Sequence, residues 1–312
     1  MARKVSLIAI VLLIAAGLVF YLLTTPVTFS ASDLPNHVPD AAKGNTMFIA
    51  GGCAECHAVP AKACDSLDIE DETRLAGGRC LKTDVGTFYV PNISPDKESG
   101  IGGWSTLDFV NAMKRGVAPG GVHLYPAFPY TSYQRMRFED VIDLKAYLDT
   151  LPPVRSAVPV NDLRFPYNIR RGVGLFQRLY VDGKTFTADP EASDAVNRGG
   201  YLVLGTGHCT ECHSPRNALG GIIAGEAFAG AESPEGKGDA PNITPSEDGI
   251  GDWSTEDIAY FLETGSTPDF DMVGESMVPV QENMAQLPPG DREAIAAFLK
   301  TLPPRPDPAK TP

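Results

Sequence analysis

The sequence has few basic residues and few histidines. Its 312 residues include 26 Lys and Arg against 39 Asp and Glu, a formal net charge of −13. This deficit of basic residues argues against nucleic acid as a partner, because Lys and Arg are what neutralise phosphates. The acidic surface suits a partner with a basic patch, although acidity also serves solubility alone. With only five His, the chain offers few groups for acid–base catalysis.

An alternating strand and helix pattern is also missing. The 31 Gly and 27 Pro are many for a compact enzyme, so we expect long loops and short helices instead of a large sheet. The length is sufficient for two domains of ordinary size.

Charge is absent from a long N-terminal stretch. Arg3 and Lys4 precede 19 uncharged residues, 5–23, which match the roughly 20 needed to cross a bilayer and exceed the roughly 7–15 of a cleaved signal. We therefore expect residues 1–30 to form an uncleaved anchor in the bacterial inner membrane, with lipid around residues 5–23. A cleaved signal peptide is the alternative. Positive charge before the span exports the rest of the chain, so the periplasm, where disulfides persist, is expected.

Four of the six cysteines lie in two C-x-x-C-H motifs. The motif residues are Cys53, Cys56 and His57 in the first copy and Cys209, Cys212 and His213 in the second. Two thiols at this spacing can both form thioethers to one porphyrin, and the adjacent His then lies beneath the iron as its proximal ligand. The sequence therefore predicts two covalently attached haem c groups.

Other interpretations of the motifs explain less. A thioredoxin-like pair uses C-x-x-C within alternating strands and helices. A zinc site could use two C-x-x-C pairs, but the adjacent His in both copies would then be a coincidence. A chance match is possible once and very improbable twice in an exported chain.

The surroundings of the motifs repeat as well. "PNISPDKESGIGGWS" begins at Pro91, and "PNITPSEDGIGDWS" begins at Pro241. "EDVIDLKAYLDTLPP" near the end of the first half has its counterpart in "GDREAIAAFLKTLPP" in the second. Such internal repetition predicts two copies of one domain. Each copy contains Ser-x-x-Asp, typical of a capping box, and a later Gly where the helix should end; these glycines are Gly116 and Gly265.

The predicted fold is mainly α, with two tandem class I cytochrome c domains after a transmembrane helix. The first domain spans 36–155 and the second 190–304. Between them, residues 156–189 are too apolar for a free linker, so we expect a strap packed on the domains. Residues 305–312 form a tail with little that could fold.

A second protein ligand on each iron would favour electron transfer, and Met raises the potential relative to His. Such ligands should lie between the Trp-led helix and the closing helix. The candidates are Met136, His123 and Met113 in the first half and Met277, Met284 and Met272 in the second.

The stretch "GVHLYPAFPYTSYQRM", followed by an acidic helix, resembles the cytochrome c subunits of membrane-bound bacterial dehydrogenases that oxidise alcohols, gluconate or sugars. The resemblance covers residues 36–304 and implies that Met136 is an axial ligand. "GESMVPV" in the second half similarly implies Met277. Those subunits usually carry three haem domains and this chain has two motifs, so it also resembles simpler dihaem cytochromes c. The dehydrogenase partner therefore stays open.

Cys64 and Cys80 enclose an acidic insertion found only in the first half. In an oxidising compartment such a pair predicts a disulfide. The alternative is a thiolate bound to iron, as in some haem enzymes that act on sulfur compounds.

Three functions follow. The first is an electron carrier of a respiratory chain, with no catalytic residue, between a dehydrogenase subunit and a terminal oxidase or another cytochrome. The second is a dihaem enzyme, a peroxidase or sulfur-compound oxidoreductase, with one displaceable axial ligand. The third, a subunit for anchoring and assembly alone, would make the haems redundant.

Overall fold

The computed structural model describes residues 2–232, 238–274 and 276–308. Met1 of the predicted anchor and residues 309–312 of the predicted tail therefore lie outside the described part. The protein is mainly helical, as the sequence predicts. The helices are α1 (Ala2–Leu23), α2 (Ala41–Ala50), α3 (Cys53–His57), α4 (Thr106–Arg115), α5 (Tyr130–Tyr133), α6 (Phe138–Leu148), α7 (Val173–Tyr180), α8 (Asp194–Tyr201), α9 (Thr210–His213), α10 (Thr255–Thr264), α11 (Met277–Gln286) and α12 (Pro289–Leu299).

The strands are short. They are β1 (Cys80–Thr83), β2 (Gly86–Tyr89), β3 (Val117–Ala118), β4 (Val122–His123), β5 (Asp162–Leu163), β6 (Ala231–Glu232) and β7 (Asp239–Ala240). All the pairings among them are antiparallel, in the order β1-β2-β5, β3-β4 and β6-β7. The acidic insertion leads into β1, and Cys64 and Cys80 form the predicted disulfide.

Helix α1 stands apart from the packed body. Its stretch from Lys4 to Leu23 has 20 residues, a mean hydropathy of 2.8 and no buried part. Among the described residues, this helix alone has the length and composition to cross a membrane, and a signal sequence shares both properties.

Two clusters of buried apolar side chains form the core, one in the first half (residues 36–155) and one in the second half (190–304). In the first, α2 packs against α6, with Val110 and Leu144 at the centre. In the second, α8 packs against α12, with Val203 and Ala296 fully buried. The clusters touch at the end of α2, where Ala50 belongs to the second cluster.

Both pairs of helices cross closely at a glycine. A β-carbon at Gly44 would meet the carbonyl oxygen of Asp143, and one at Gly199 would meet that of Ala294. The glycines occupy corresponding places in α2 and α8, so the repeat extends to the backbone contact between helices.

The predicted helix boundaries in the repeat are confirmed. Ser105 and Ser254 each form a capping box with the Asp three residues later, which satisfies amide groups at the starts of α4 and α10. Gly116 and Gly265 follow these helices with φ of 63° and 77°, a left-handed conformation that glycine adopts without strain.

The strap, residues 156–189, contacts both halves. Gln177 of α7 is buried and donates to the carbonyl oxygen of Gly116 at 2.7 Å. Further along, the amide of Phe186 donates to the carbonyl oxygen of Arg135 at 2.8 Å, and its ring packs on Tyr201 of the second half.

We expect Gly44→Ala and Gly199→Ala each to lower the free energy of unfolding by about 1–3 kcal/mol, because the added methyl group would separate two packed helices. Denaturant unfolding measures the change. Gly290→Ala is the matched control, since Gly290 lies in α12 with open space around its α-carbon. Equal effects of the Gly199 and Gly290 substitutions would contradict the close crossing.

Candidate haem sites

The first motif folds into the short helix α3, which follows Gly52 in a left-handed conformation (φ 56°). Cys53 and Cys56 are three residues apart and His57 is four residues from Cys53, so the helix brings all three to one side. In the second motif α9 ends at His213 in the same way, and Cys209 is its N-cap residue. Sequence spacing and local structure therefore agree in both copies.

Each motif histidine is oriented by a backbone carbonyl. His57 Nδ1 lies 2.8 Å from the carbonyl oxygen of Pro91, and His213 Nδ1 lies 2.7 Å from that of Pro241. A carbonyl only accepts, so Nδ1 carries the proton and Nε2 keeps its lone pair. Burial lowers the pKa of His57 to about 4 and also lowers the pKa of His213. Both rings are thus neutral near pH 7, the form that binds iron.

The two prolines are held in turn by the asparagines that follow them. Asn92 Nδ2 donates to the carbonyl oxygen of Val154 at 2.7 Å, and its Oδ1 accepts from the amide of Ser94. This side chain therefore ties the loop to the chain just beyond the closing helix.

Asn242 makes the corresponding contacts in the second half. Its Nδ2 donates to the carbonyl oxygen of Arg305 at 2.8 Å, and its Oδ1 accepts from the amide of Thr244. These contacts give both asparagines a structural role. The start of the tail, for which little structure was expected, is also fixed here.

The remaining surroundings are apolar, as a porphyrin requires. Burial raises the pKa of the Cys53 and Cys209 thiols to about 12. A small cavity beside Cys209 is lined by Ala50, Leu202, Val203, Gly207, Met284, Leu287 and Ile295. Neutral imidazoles, paired thiols and an apolar lining fit a covalently held haem.

Met136 is fully buried in the first core cluster, which Cys53 also contacts. Its loop is held by Lys114, a fully buried side chain that donates to the carbonyl oxygens of Gln134 and Met136. Burial lowers the pKa of Lys114 to about 8. The position of Met136 is thus set by backbone contacts, independently of any ligand.

His123, the rival candidate in the first half, is engaged elsewhere. Its Nε2 lies 2.8 Å from the carbonyl oxygen of Thr24, and its Nδ1 lies against Oε1 of Gln177. Both ring nitrogens therefore have protein partners in this structure. Met113, the other candidate in this half, is buried in the first core cluster.

The second half contains three candidate methionine ligands, which differ in exposure. Met277 begins α11 and is partly exposed, whereas Met284, two turns along the same face, is buried beside Cys209. Met272 is 67% exposed.

The repeat position of Met136 is occupied by Leu287 in the second half. Arg292 donates to the carbonyl oxygens of Ala285 and Leu287, the two repeat positions whose carbonyls Lys114 holds in the first half. The cation comes from α12 here and from α4 there. Both halves therefore keep a buried cation on these carbonyls but do not share the methionine, which is why the two predicted methionines are not equivalent.

Both motifs lie at the contact between the halves. Glu55, between the cysteines of the first motif, accepts from Asn283 of α11. Glu211, at the same place in the second motif, accepts from Thr131 at 2.6 Å and from Ser132 at 2.7 Å. Each motif thus reaches into the opposite half. This role was not predicted from the sequence, although a Glu at the third position of both motifs indicates it.

The two glutamates differ in their electrostatic surroundings. Burial raises the pKa of Glu55 to about 7, against the attraction of Arg79. Burial would also raise the pKa of Glu211, but Arg216 and the hydroxyl groups of Thr131 and Ser132 outweigh it and hold the pKa below its ordinary value. Glu211 is therefore a compensated buried charge, and Glu55 is only partly compensated.

Further contacts close the same interface. The carbonyl oxygen of Gly51, just before the first motif, accepts from the Tyr133 hydroxyl at 3.3 Å and lies 3.3 Å from His208 Nε2. The rings of Tyr133 and His208 pack edge to face at 5.6 Å. His208 directly precedes the second motif, so the two motifs share one contact surface.

Comparison with known proteins agrees with this geometry. The family model described as Cytochrome c matches residues 41–152. A protein of Cereibacter sphaeroides described as "Diheme cytochrome c-type" is 45% identical over 96% of this chain and 99% of its own length. The chain belongs to the cytochrome c family. The family and the relative support haem c as the cofactor, and the count of two comes from the relative's description.

Cytochrome subunits of dehydrogenases are similar as well. The fructose dehydrogenase cytochrome subunit of Gluconobacter japonicus is 35% identical over 88% of the chain and 55% of its own length. The gluconate 2-dehydrogenase cytochrome c subunit of Pantoea cypripedii is 34% identical over 83% of the chain and 59% of its own length. This cytochrome thus spans only part of these two relatives. The resemblance to cytochrome subunits of dehydrogenases is confirmed.

We expect Asn92→Ala to lower the free energy of unfolding by about 1–3 kcal/mol, because buried amide and carbonyl groups lose their partners. Asn242→Ala should cost about the same, since its contacts are equivalent. Asn168→Ala, at an exposed position, should change stability by less than about 0.5 kcal/mol. Thermal or denaturant unfolding measures all three. If Asn92→Ala behaves like Asn168→Ala, the loop does not depend on this side chain.

Proposed function

We propose that the chain is a membrane-anchored, periplasmic dihaem cytochrome c that carries electrons from a dehydrogenase to a terminal oxidase or another cytochrome. The observation that carries this proposal is that the glutamate of each motif is hydrogen-bonded to the opposite half, Glu55 to Asn283 and Glu211 to Thr131. Two redox centres held at one interface suit a short relay between a donor and an acceptor.

Each half would act as one class I cytochrome c domain, 36–155 and 190–304. Cys53 and Cys56 would hold one haem by thioether bonds, and Cys209 and Cys212 the other. Haem c supplies reversible one-electron transfer between ferric and ferrous iron. His57 and His213 would present Nε2 to the iron, with the ring fixed by the carbonyl contact on Nδ1.

Met136 and Met277 would close the far side of each iron. A thioether ligand keeps out small molecules and raises the potential relative to His. For Met136, full burial and a loop held by Lys114 support this role. For Met277, the support is the resemblance together with its place on the same face of α11 as the buried Gln281 and Met284.

The junction after α1 supports a retained anchor over a cleaved signal. Thr24 is fully buried. The backbone of Phe29 pairs with the Asn111 side chain in both directions, at 2.7 and 3.3 Å, and its ring packs on Phe138 at 5.0 Å. Cleavage after this segment would remove side chains built into the first half.

Dehydrogenases are the favoured electron donors because dehydrogenase cytochrome subunits are among the similar proteins. The net charge of −13 would help to steer a basic partner towards the surface. The alternative, a dihaem peroxidase or sulfur-compound oxidoreductase, needs acid–base groups near one iron. The three histidines outside the motifs already contact other groups of the protein. His37 contacts Asp143, His123 contacts the carbonyl oxygen of Thr24, and His208 contacts that of Gly51.

Substitution of the axial ligands tests the sites. The intact mass of the purified protein should exceed that of the polypeptide by two haem groups. Met136→Leu should lower the potential of one haem, abolish its methionine-to-iron charge-transfer band and allow carbon monoxide to bind the reduced iron, because the sixth position opens. Met277→Leu should do the same to the other haem.

Neighbouring methionines are matched controls for these variants. Met113→Leu and Met284→Leu change buried methionines of the same halves and should leave both potentials nearly unchanged. If Met284→Leu opens the second iron and Met277→Leu does not, the assignment in the second half is wrong.

Purification from native membranes tests the function. A dehydrogenase should remain bound, and addition of its substrate should reduce both haems. A variant with Cys209→Ala and Cys212→Ala, which lacks the second attachment, should still dock but pass electrons onward much more slowly. Unchanged throughput in this variant, or no dehydrogenase in the purified complex, would contradict the relay.

A further inference from the structure

The strap presents an unusual outer face. In α7, Gly174 and Gln177 are buried against the first half, whereas Leu175, Arg178 and Leu179 are exposed. The exposed set lies on a different side of the helix from the buried set, so α7 turns two leucines and an arginine outward. Leu179 is 62% exposed.

The loop before α7 extends this face. Phe165 is 77% exposed, Tyr167 54% and Ile169 47%. Residues 164–180 also contain four Arg and no Asp or Glu, within a chain of net charge −13. We call the exposed side chains of 164–180 the strap face. It combines basic side chains with large apolar ones. Large apolar side chains grouped on a surface in water are unfavourable, so such a patch indicates an interaction site.

The strap face lies beside the end of α1. Arg171 donates to the carbonyl oxygen of Tyr21 at 3.0 Å, and its guanidinium stacks on that ring at 4.2 Å. Arg178 donates to the carbonyl oxygen of Leu23 at 3.0 Å. The strap therefore meets the apolar helix at its last turn, the level at which a span would leave the bilayer.

We propose that the strap face lies on the surface of an anionic lipid bilayer and fixes the orientation of the haem-bearing halves above the membrane. This inference rests on the proposed membrane anchor. Arginines at this level would bind lipid phosphates, and the exposed aromatic and aliphatic side chains would enter the boundary between headgroups and acyl chains. An acidic protein body would otherwise be repelled by such a surface.

Continuity with α1 favours lipid over a protein partner. A span inserted in the membrane brings the residues beside its end to the headgroup layer, whatever else the protein binds. Of the four arginines in residues 164–180, Arg164 and Arg178 are exposed and complement anionic lipid. The contacts of Arg171 and Arg178 with α1 leave the face little freedom to turn away.

The test uses the full-length, haem-loaded protein in lipid nanodiscs. A nitroxide spin label is attached to the new cysteine of the Leu179→Cys variant. The label reacts there because the motif thiols of the haem-loaded protein are thioethers and Cys64 is joined to Cys80. Power saturation with oxygen and with a water-soluble nickel chelate reports depth. We expect the Leu179 label to be protected from the chelate in discs of phosphatidylglycerol. The matched control is Phe270→Cys, at a position 90% exposed in the second half, which should be open to it.

The remaining outcomes decide the proposal. Neutral phosphatidylcholine discs, or addition of Arg178→Gln, should weaken the protection at Leu179. Equal exposure of the Leu179 and Phe270 labels in both lipids would overturn the proposal, as would protection that appears only when a dehydrogenase is bound. Failure to enter the discs would instead overturn the membrane anchor itself. The absorption spectrum reports reduction of the haems independently of the spin label. Failure of the electron-transfer role would therefore be distinguished both from an exposed strap face and from failure to enter the discs.

Discussion

The fold depends on one hydrogen bond made twice, from histidine Nδ1 to a proline carbonyl. An imidazole binds iron only as a neutral ring with a free nitrogen in the right direction, and this contact settles both conditions for His57 and His213. The proline is fixed by an asparagine, and the asparagine holds the chain beyond the closing helix. A local requirement at one side chain thus determines where the loop, the closing helix and the segment after it lie.

The contact between the halves requires specific partners for the carboxylates of the two motifs. One carboxylate is buried there, that of Glu211, and the Glu55 carboxylate is half-buried. Burial of a charge is unfavourable unless hydrogen bonds and an opposite charge compensate it. Glu211 has both, through Thr131, Ser132 and Arg216. Partners supplied by the opposite half make the relative placement of the halves specific, since a different docking would deprive Glu211 of the hydroxyl groups of Thr131 and Ser132. Fixed placement matters in a relay, where the separation of the centres governs electron transfer.

Features encoded by neighbours in the sequence were predictable. Capping boxes, helix-ending glycines and the disulfide depend on residues close together or on a simple redox argument. Features that join distant segments were not. Nothing local indicates that Lys114 supports the Met136 loop, or that Arg292 does the same from a different helix. The tail looked unable to fold because the hydrogen bonds to Arg305 come from Asn242, more than sixty positions away. Family membership supports haem c as the group that the motifs hold, which the periodicity of the sequence does not identify.

The segment that follows α1 connects the two halves with the strap. Thr24 lies between α1 and the first half, and its carbonyl oxygen is held by His123, which also contacts Gln177 of the strap. The strap continues to the second half, where Phe186 packs on Tyr201. The end of α1, the first half, the strap and the second half therefore form a continuous set of packed contacts without a flexible linker. A partner that binds beside the membrane would meet both motifs at a fixed height and orientation, because tilting one half would require breaking buried contacts in the other.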